Sequence, residues 1–103
     1  MNKTVSVGIL ATLKAKPGKE DTVAAFLKSA LPMANSEEAT TVWFALKLDA
    51  STFAIFDAFP DESGRQAHLS GPIAAALMAN WEELLSEPPK IEMVDVLAAK
   101  LAG

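Results

Sequence analysis

From Thr4 to Leu13 apolar and other positions alternate. Val5, Val7, Ile9, Ala11 and Leu13 form one set, and Thr4, Ser6, Gly8, Leu10 and Thr12 stand between them. A repeat of two predicts a strand. Lys16-Pro17-Gly18 breaks it, and Glu20 and Asp21 follow where the first turn of a helix favours acids. Val23, Phe26, Leu27, Ala30 and Leu31 then recur at three-and-four spacing, one stripe of a helix that Pro32 should end or kink. Asn35 to Thr40 reads as a polar connection. Thr41–Leu48 and Thr52–Phe59 are strand-like runs joined by Asp49-Ala50-Ser51, a plausible hairpin. Pro60-Asp61 opens a second helical region with Asp61 as N-cap, divided at Ser70-Gly71-Pro72. Ile73, Leu77, Trp81 and Leu84 mark the buried stripe of its second piece. Glu87-Pro88-Pro89 closes it, and Ile91–Leu97 reads as a last strand.

The order strand, helix, strand, strand, helix, strand predicts a ferredoxin-like βαββαβ fold of the α+β class. It is an antiparallel four-stranded sheet with helices on one face. The chain, residues 1–103, reads as one domain. Alternation sorts the strands into two sets. Val5, Val7, Ile9, Val42, Phe44, Leu46, Phe56, Val94 and Val96 are nearly all aliphatic or aromatic, and are expected under the helices. Ser6, Leu10, Trp43, Lys47, Phe53, Ile55, Asp57, Phe59, Ile91, Met93 and Asp95 are expected on the uncovered face. Such a face is too apolar for a soluble monomer. Stacking it on a second copy gives a homodimer, which would enclose Trp43, Asp57 and Asp95 in a partly polar cavity. The same residues would also serve a dimer interface that binds nothing.

Composition narrows the chemistry. Half of the residues are apolar and 21% are charged, a globular balance, and there is no cysteine. Disulfides and thiolate metal sites are therefore excluded, and a single histidine makes a structural zinc site implausible. The net charge of −4 and the scattered lysines argue against nucleic acid. The first residues lack a signal-peptide pattern, and no run approaches the ~20 apolar residues of a membrane span. The expectation is a soluble cytoplasmic protein.

The only arginine and the only histidine, Arg65 and His68, stand three residues apart on one helix face. Asp57, near the end of the preceding strand, can come close to His68. A carboxylate beside an imidazole raises its pKa and fixes its tautomer, which suits a general acid or base. A nearby guanidinium could steady an oxyanion. Plainer roles compete with these. His68 can interact with the dipole at a helix end, and Arg65 can pair with Asp61 or Glu62 on the surface. Trp43 is a candidate ligand contact or interface anchor, and Trp81 a core residue. No phosphate loop, nucleotide fingerprint or metal-pair spacing is present.

The whole pattern resembles the antibiotic biosynthesis monooxygenase family, whose members are dimeric α/β barrels and include quinol monooxygenases and haem-degrading enzymes. The resemblance runs nearly the full length. It rests on the first strand with its KPGKE turn at Lys16–Glu20, the hairpin ending in FAIFDAF, AHL at Ala67–Leu69, and the proline-rich turn into the last strand. Phe56, Asp57 and Phe59 approximate the family's aromatic-acid-x-aromatic strand end, and His68 its helix histidine. Haem-degrading relatives carry a first-strand asparagine, a helix tryptophan and a ligating histidine. This chain offers Ser6, Val7 and Gly8, then His68, then Met78 at about those positions, so the resemblance does not imply haem degradation. The polyketide-tailoring relatives are associated with active-site Trp and Tyr, and tyrosine is absent here.

The resemblance implies a cofactor-independent oxygenase acting on a small electron-rich aromatic, a phenol or quinol, with no cofactor or metal. In that reading His68 is the base, Asp57 its orienter and Arg65 the anion stabiliser. Trp43, Phe53 and Phe59 bind the substrate. The alternative is a non-catalytic dimer that binds a small ligand or acts as a scaffold.

Overall fold

The protein is described by a computed structural model covering residues 4–101. Its elements are β1 (Val7–Lys14), α1 (Glu20–Ser29), α2 (Leu31–Ser36), β2 (Val42–Lys47), β3 (Thr52–Phe59), α3 (Glu62–Leu69), α4 (Pro72–Leu84) and β4 (Lys90–Asp95). The strands form one antiparallel sheet in the order β2-β3-β1-β4. With α1–α2 and α3–α4 as the two helical crossovers, this is the ferredoxin-like arrangement that the sequence pattern predicts.

Local chemistry explains most boundaries. Asp49 accepts from the backbone N–H groups of Ser51 and Thr52 at 3.0 and 2.8 Å, closing the β2–β3 hairpin. Asp61 caps α3 by accepting from the Gly64 N–H at 3.0 Å. Pro32 differs from expectation. It stands in the first turn of α2, where its missing N–H costs nothing, so the chain turns at Ala30 and begins a second short helix. Part of the expected polar connection is therefore helical.

Apolar side chains of α1 and α4 cover one face of the sheet. Val23 and Leu27, with Leu77 and Leu84, pack on Ala11, Leu13, Phe53 and Ile55. The far end of α4 is fastened to β1. Ala15 bridges Leu85, the Lys16 N–H donates to the Leu84 carbonyl at 2.9 Å, and Ser86 N–H donates to the Lys14 carbonyl at 2.9 Å. Among the described residues no helix is long and apolar enough to cross a membrane.

The register corrects the expected faces. Ile9 lies opposite Asp57 and Met93, while Trp43 lies opposite Asp57. Phe53, Ile55, Asp57 and Phe59 are consequently on the helix-covered side together with Ile9, and are buried there. Trp43, Ile91, Met93 and Asp95 share that side. The open face instead presents Val42, Phe44, Leu46, Phe56 and Val94, alongside Leu10. Val7, Ile9 and Leu10 of β1 lie on the sides expected of them, whereas the residues of β2, β3 and β4 are exchanged, because alternation within an apolar strand does not set its phase against its neighbours. Asp57, expected on the uncovered face in a cavity between two copies, is instead buried under the helices, where a carboxylate is tolerated because it has a charged partner.

Candidate functional site

β3 carries Asp57 into the space between sheet and helices, and the capped helix α3 carries His68 over it. Gly64 permits this closeness. A Cβ there would lie 3.3 Å from both the Ala39 carbonyl oxygen and the Cβ of Phe59. His68 Nε2 is 2.9 Å from Asp57 Oδ2. Its Nδ1 is 2.7 Å from Oε1 of Glu37, at the end of α2. The Thr40 hydroxyl donates to the same Glu37 oxygen at 2.7 Å. The Phe59 ring lies beside the imidazole, 5.5 Å between centroids at a tilt of 44°.

Asp57 and His68 are 1% and 7% exposed, which makes this a buried carboxylate–imidazole–carboxylate chain. Burial alone pushes the imidazole pKa down. The hydrogen bonds to Asp57 and Glu37, with the two negative charges, outweigh it and hold His68 above its ordinary value. Both ring nitrogens face carboxylate oxygens, so the charged form with two N–H donors fits the geometry. The carboxylates sit on opposite sides of the ring. Among the described residues no group of three acidic or histidine side chains converges as a metal site.

The imidazole separates two spaces. Inward is an apolar cavity of about 40 Å³, bounded by Ile9, Ile55, Ile73, Leu77 and Ile91, with Asp57 and His68 in its wall. Outward is an open cleft of about 180 Å³ that includes Glu37, Thr40, Gly71 and Pro72. Asp57 Oδ1 and Glu37 Oε2 are buried and have no hydrogen-bond partner among the described residues, as is also true of Trp43 Nε1. The cavity is mostly apolar, with the Asp57 carboxylate in its wall. That arrangement can orient a ligand hydroxyl or take a proton from it.

The structure brings Asp57 and His68 together, with Phe59 beside the imidazole, and leaves Arg65, Phe53, Trp43 and Phe59 out of the cavity lining. Arg65 does not line the cavity. Its Nη1 donates to the carbonyls of Gly8 and Val94 at 3.2 and 3.3 Å, and the rest of the guanidinium pairs with Glu62. It ties α3 to β1 and β4, so its donors are already engaged. Phe53 belongs to the main core, four residues along β3 from Asp57. Trp43 lies opposite Asp57 in the sheet and packs against both apolar clusters, the main core and that of Ala30, Ala34 and Ile73, but does not itself line the cavity. Phe59 supports His68 from beside it. Glu37 was missed in the sequence. It reads there as one acid in a polar stretch, and its contact with His68 spans 31 residues.

No family model matches the sequence, and no curated protein matches it. Solved structures do. A protein of unknown function from Nitrosomonas europaea is 59% identical, with a TM-score of 0.95 and coverage of 99% of each chain. A proposed antibiotic biosynthesis monooxygenase from the same organism superposes with a TM-score of 0.79 at 14% identity, over 89% of this chain and 99% of its own. Another, from Chloroflexus aurantiacus, gives 0.72 at 17% identity, over 95% and 99%. The chain therefore belongs to one family with the Nitrosomonas europaea protein of unknown function, and it shares its fold with antibiotic biosynthesis monooxygenase-like proteins.

Proposed function

We propose that the protein is a cofactor-independent monooxygenase that oxidises a small electron-rich aromatic, a phenol or quinol, with molecular oxygen. The observation that supports this most is Asp57. It is buried, tied through one oxygen to His68, and its other oxygen has no hydrogen-bond partner among the described residues. Asp57 also forms part of the wall of an apolar cavity. In this reading the substrate O–H bond breaks and its proton goes to Asp57 Oδ1, leaving a phenolate in apolar surroundings. The phenolate gives one electron to oxygen, and the two radicals join as a peroxide anion. That anion takes the proton back from Asp57, and loss of water leaves the quinone.

The roles shift from those expected of the sequence. Asp57 is the proton acceptor, because both nitrogens of His68 are already engaged. His68 orients the carboxylate and keeps a positive charge beside it. Arg65 acts at a distance by fixing α3. The reading includes a homodimer, supported by the exposed Phe44 and Leu46 on the open sheet face, at 55% and 40%. Two such faces stacked would make the α/β barrel.

A cavity of about 40 Å³ is well below the ~150 Å³ that accommodates benzene in an engineered core. An aromatic ring therefore enters only as Ile73, Leu77 and Ile91 move aside. The small volume favours a second reading, a non-catalytic dimer that binds a small ligand or serves as a scaffold. Oxygen uptake by the metal-free protein with a panel of quinols, catechols and anthrone-like phenols separates the two. The oxygenase is expected to consume oxygen above the uncatalysed rate, and Asp57→Asn to lower its rate by about 10²–10⁴-fold. His68→Ala is expected to lose less. Uptake unchanged in Asp57→Asn would remove Asp57 as the acceptor, and no uptake across the panel would leave the binding reading in place.

A further inference from the structure

We infer that Glu37 is a positioning residue of this site, holding His68 charged after Asp57 has been neutralised, so that the cavity can keep a bound hydroxyl ligand as its anion. The inference rests on the proposed reading of Asp57 as proton acceptor and asks what happens next in that site. A histidine paired with one aspartate loses its counter-charge once the aspartate is protonated, and burial then favours the neutral ring. Here the second carboxylate remains.

The geometry of Glu37 suits that task. Its Oε1 is 2.7 Å from His68 Nδ1 and accepts from the Thr40 hydroxyl as well. Its Oε2 is buried near the start of α4, 3.3 Å from where a Cβ on Gly71 would lie. The positive end of that 13-residue helix favours a carboxylate there. The other elements around the ring bring few charges. β3 presents Asp57 and the Phe59 ring, Glu38 lines the outer cleft beside Glu37, and α4 enters through its N-cap Gly71 with Pro72 and Ile73. Arg65, on α3 itself, is directed to Gly8, Val94 and Glu62.

The proton balance is simple. Before transfer the site holds Asp57⁻, His68⁺, Glu37⁻ and a neutral hydroxyl ligand. After transfer to Asp57 Oδ1 it holds neutral Asp57, His68⁺, Glu37⁻ and the ligand anion. Negative charge moves from Asp57 to the ligand while the cation stays where it was. Without Glu37 the imidazolium would have no anion in direct contact at that moment, the ligand anion standing beyond the protonated Asp57.

His68 is the sole histidine, so its imidazole ¹⁵N resonances can be followed without ambiguity. Asp57→Asn mimics the neutralised acid. Its His68 is expected to remain doubly protonated at pH 7, and the Asp57→Asn/Glu37→Gln double variant to be neutral there. A neutral His68 in Asp57→Asn alone, or a charged one in the double variant, would overturn the inference. Glu37→Asp should restore the charge, separating it from a folding defect. A second arm uses 4-nitrophenol, whose anion absorbs visible light. The wild type is expected to bind the anion, and Glu37→Gln to weaken that preference about tenfold, the equivalent of one pKa unit. Equal preference in the two proteins would also overturn it. If 4-nitrophenol binds to neither protein while His68 titrates as expected, the ligand reading fails and the charge-holding role of Glu37 stands.

Discussion

An imidazole between two carboxylates gains stability only while it carries both protons, which makes His68 a source of pH dependence. Its native pKa is raised, so the folded state holds the proton more tightly than the unfolded chain. The stabilisation is complete below the unfolded value of about 6.5 and is lost as pH rises through the native midpoint. Urea midpoints measured from pH 6 upward should fall in the wild type and stay flatter in His68→Gln. Equal slopes would mean that these contacts do not select the charged ring. The sequence revealed half of this arrangement. His68 stood out because it is unique, and Asp57 because it lies on an apolar strand. Glu37 was not legible, since nothing local marks which acid of a polar stretch turns inward and closes a contact across 31 residues.

Helix α4 forms one wall of the cavity, and of its side chains Leu77 belongs both to that wall and to the main core. Leu77→Ala is expected to cost about 2–5 kcal/mol of stability, as lost burial and residual void add together. It should also enlarge the space beside Asp57, and benzene or xenon should then bind more tightly than to the wild type. Chemical denaturation and ligand-detected NMR would test both effects, and unchanged affinity would show that the surroundings collapse into the gap. At this scale the periodicities fixed the type and order of the elements. They did not fix the phase of β2, β3 and β4 against β1, because Phe44, Leu46 and Phe56 make the open side as apolar as the covered one. Pro32 was similarly ambiguous, since the same ring that ends one helix is well placed to begin the next.

For the whole molecule the open face is the feature that most needs an explanation. Leu10, Val42, Phe44, Leu46, Phe56 and Val94 lie together on one side of the sheet, with Phe44 and Leu46 the most exposed of them. If two copies stack there, Phe44→Glu should place like charges inside the junction and yield monomers by sedimentation, with the secondary structure retained. A wild-type protein that sediments as a monomer at micromolar concentration would reject the stacked arrangement. The attachment of α4 has a mechanical consequence. Backbone bonds lock its last turn to β1 and the residues just after it, whereas among the described residues its first turn, at Pro72 and Ile73, has no comparable bonds to the sheet. The helix is thus a cantilever, clamped at one end and loaded at the other, and its compliance is greatest over the cavity. Amide exchange should accordingly be faster at Ala76–Leu77 than at Leu84–Leu85. A ligand could then be admitted by bending one beam, leaving the four-stranded sheet undisturbed.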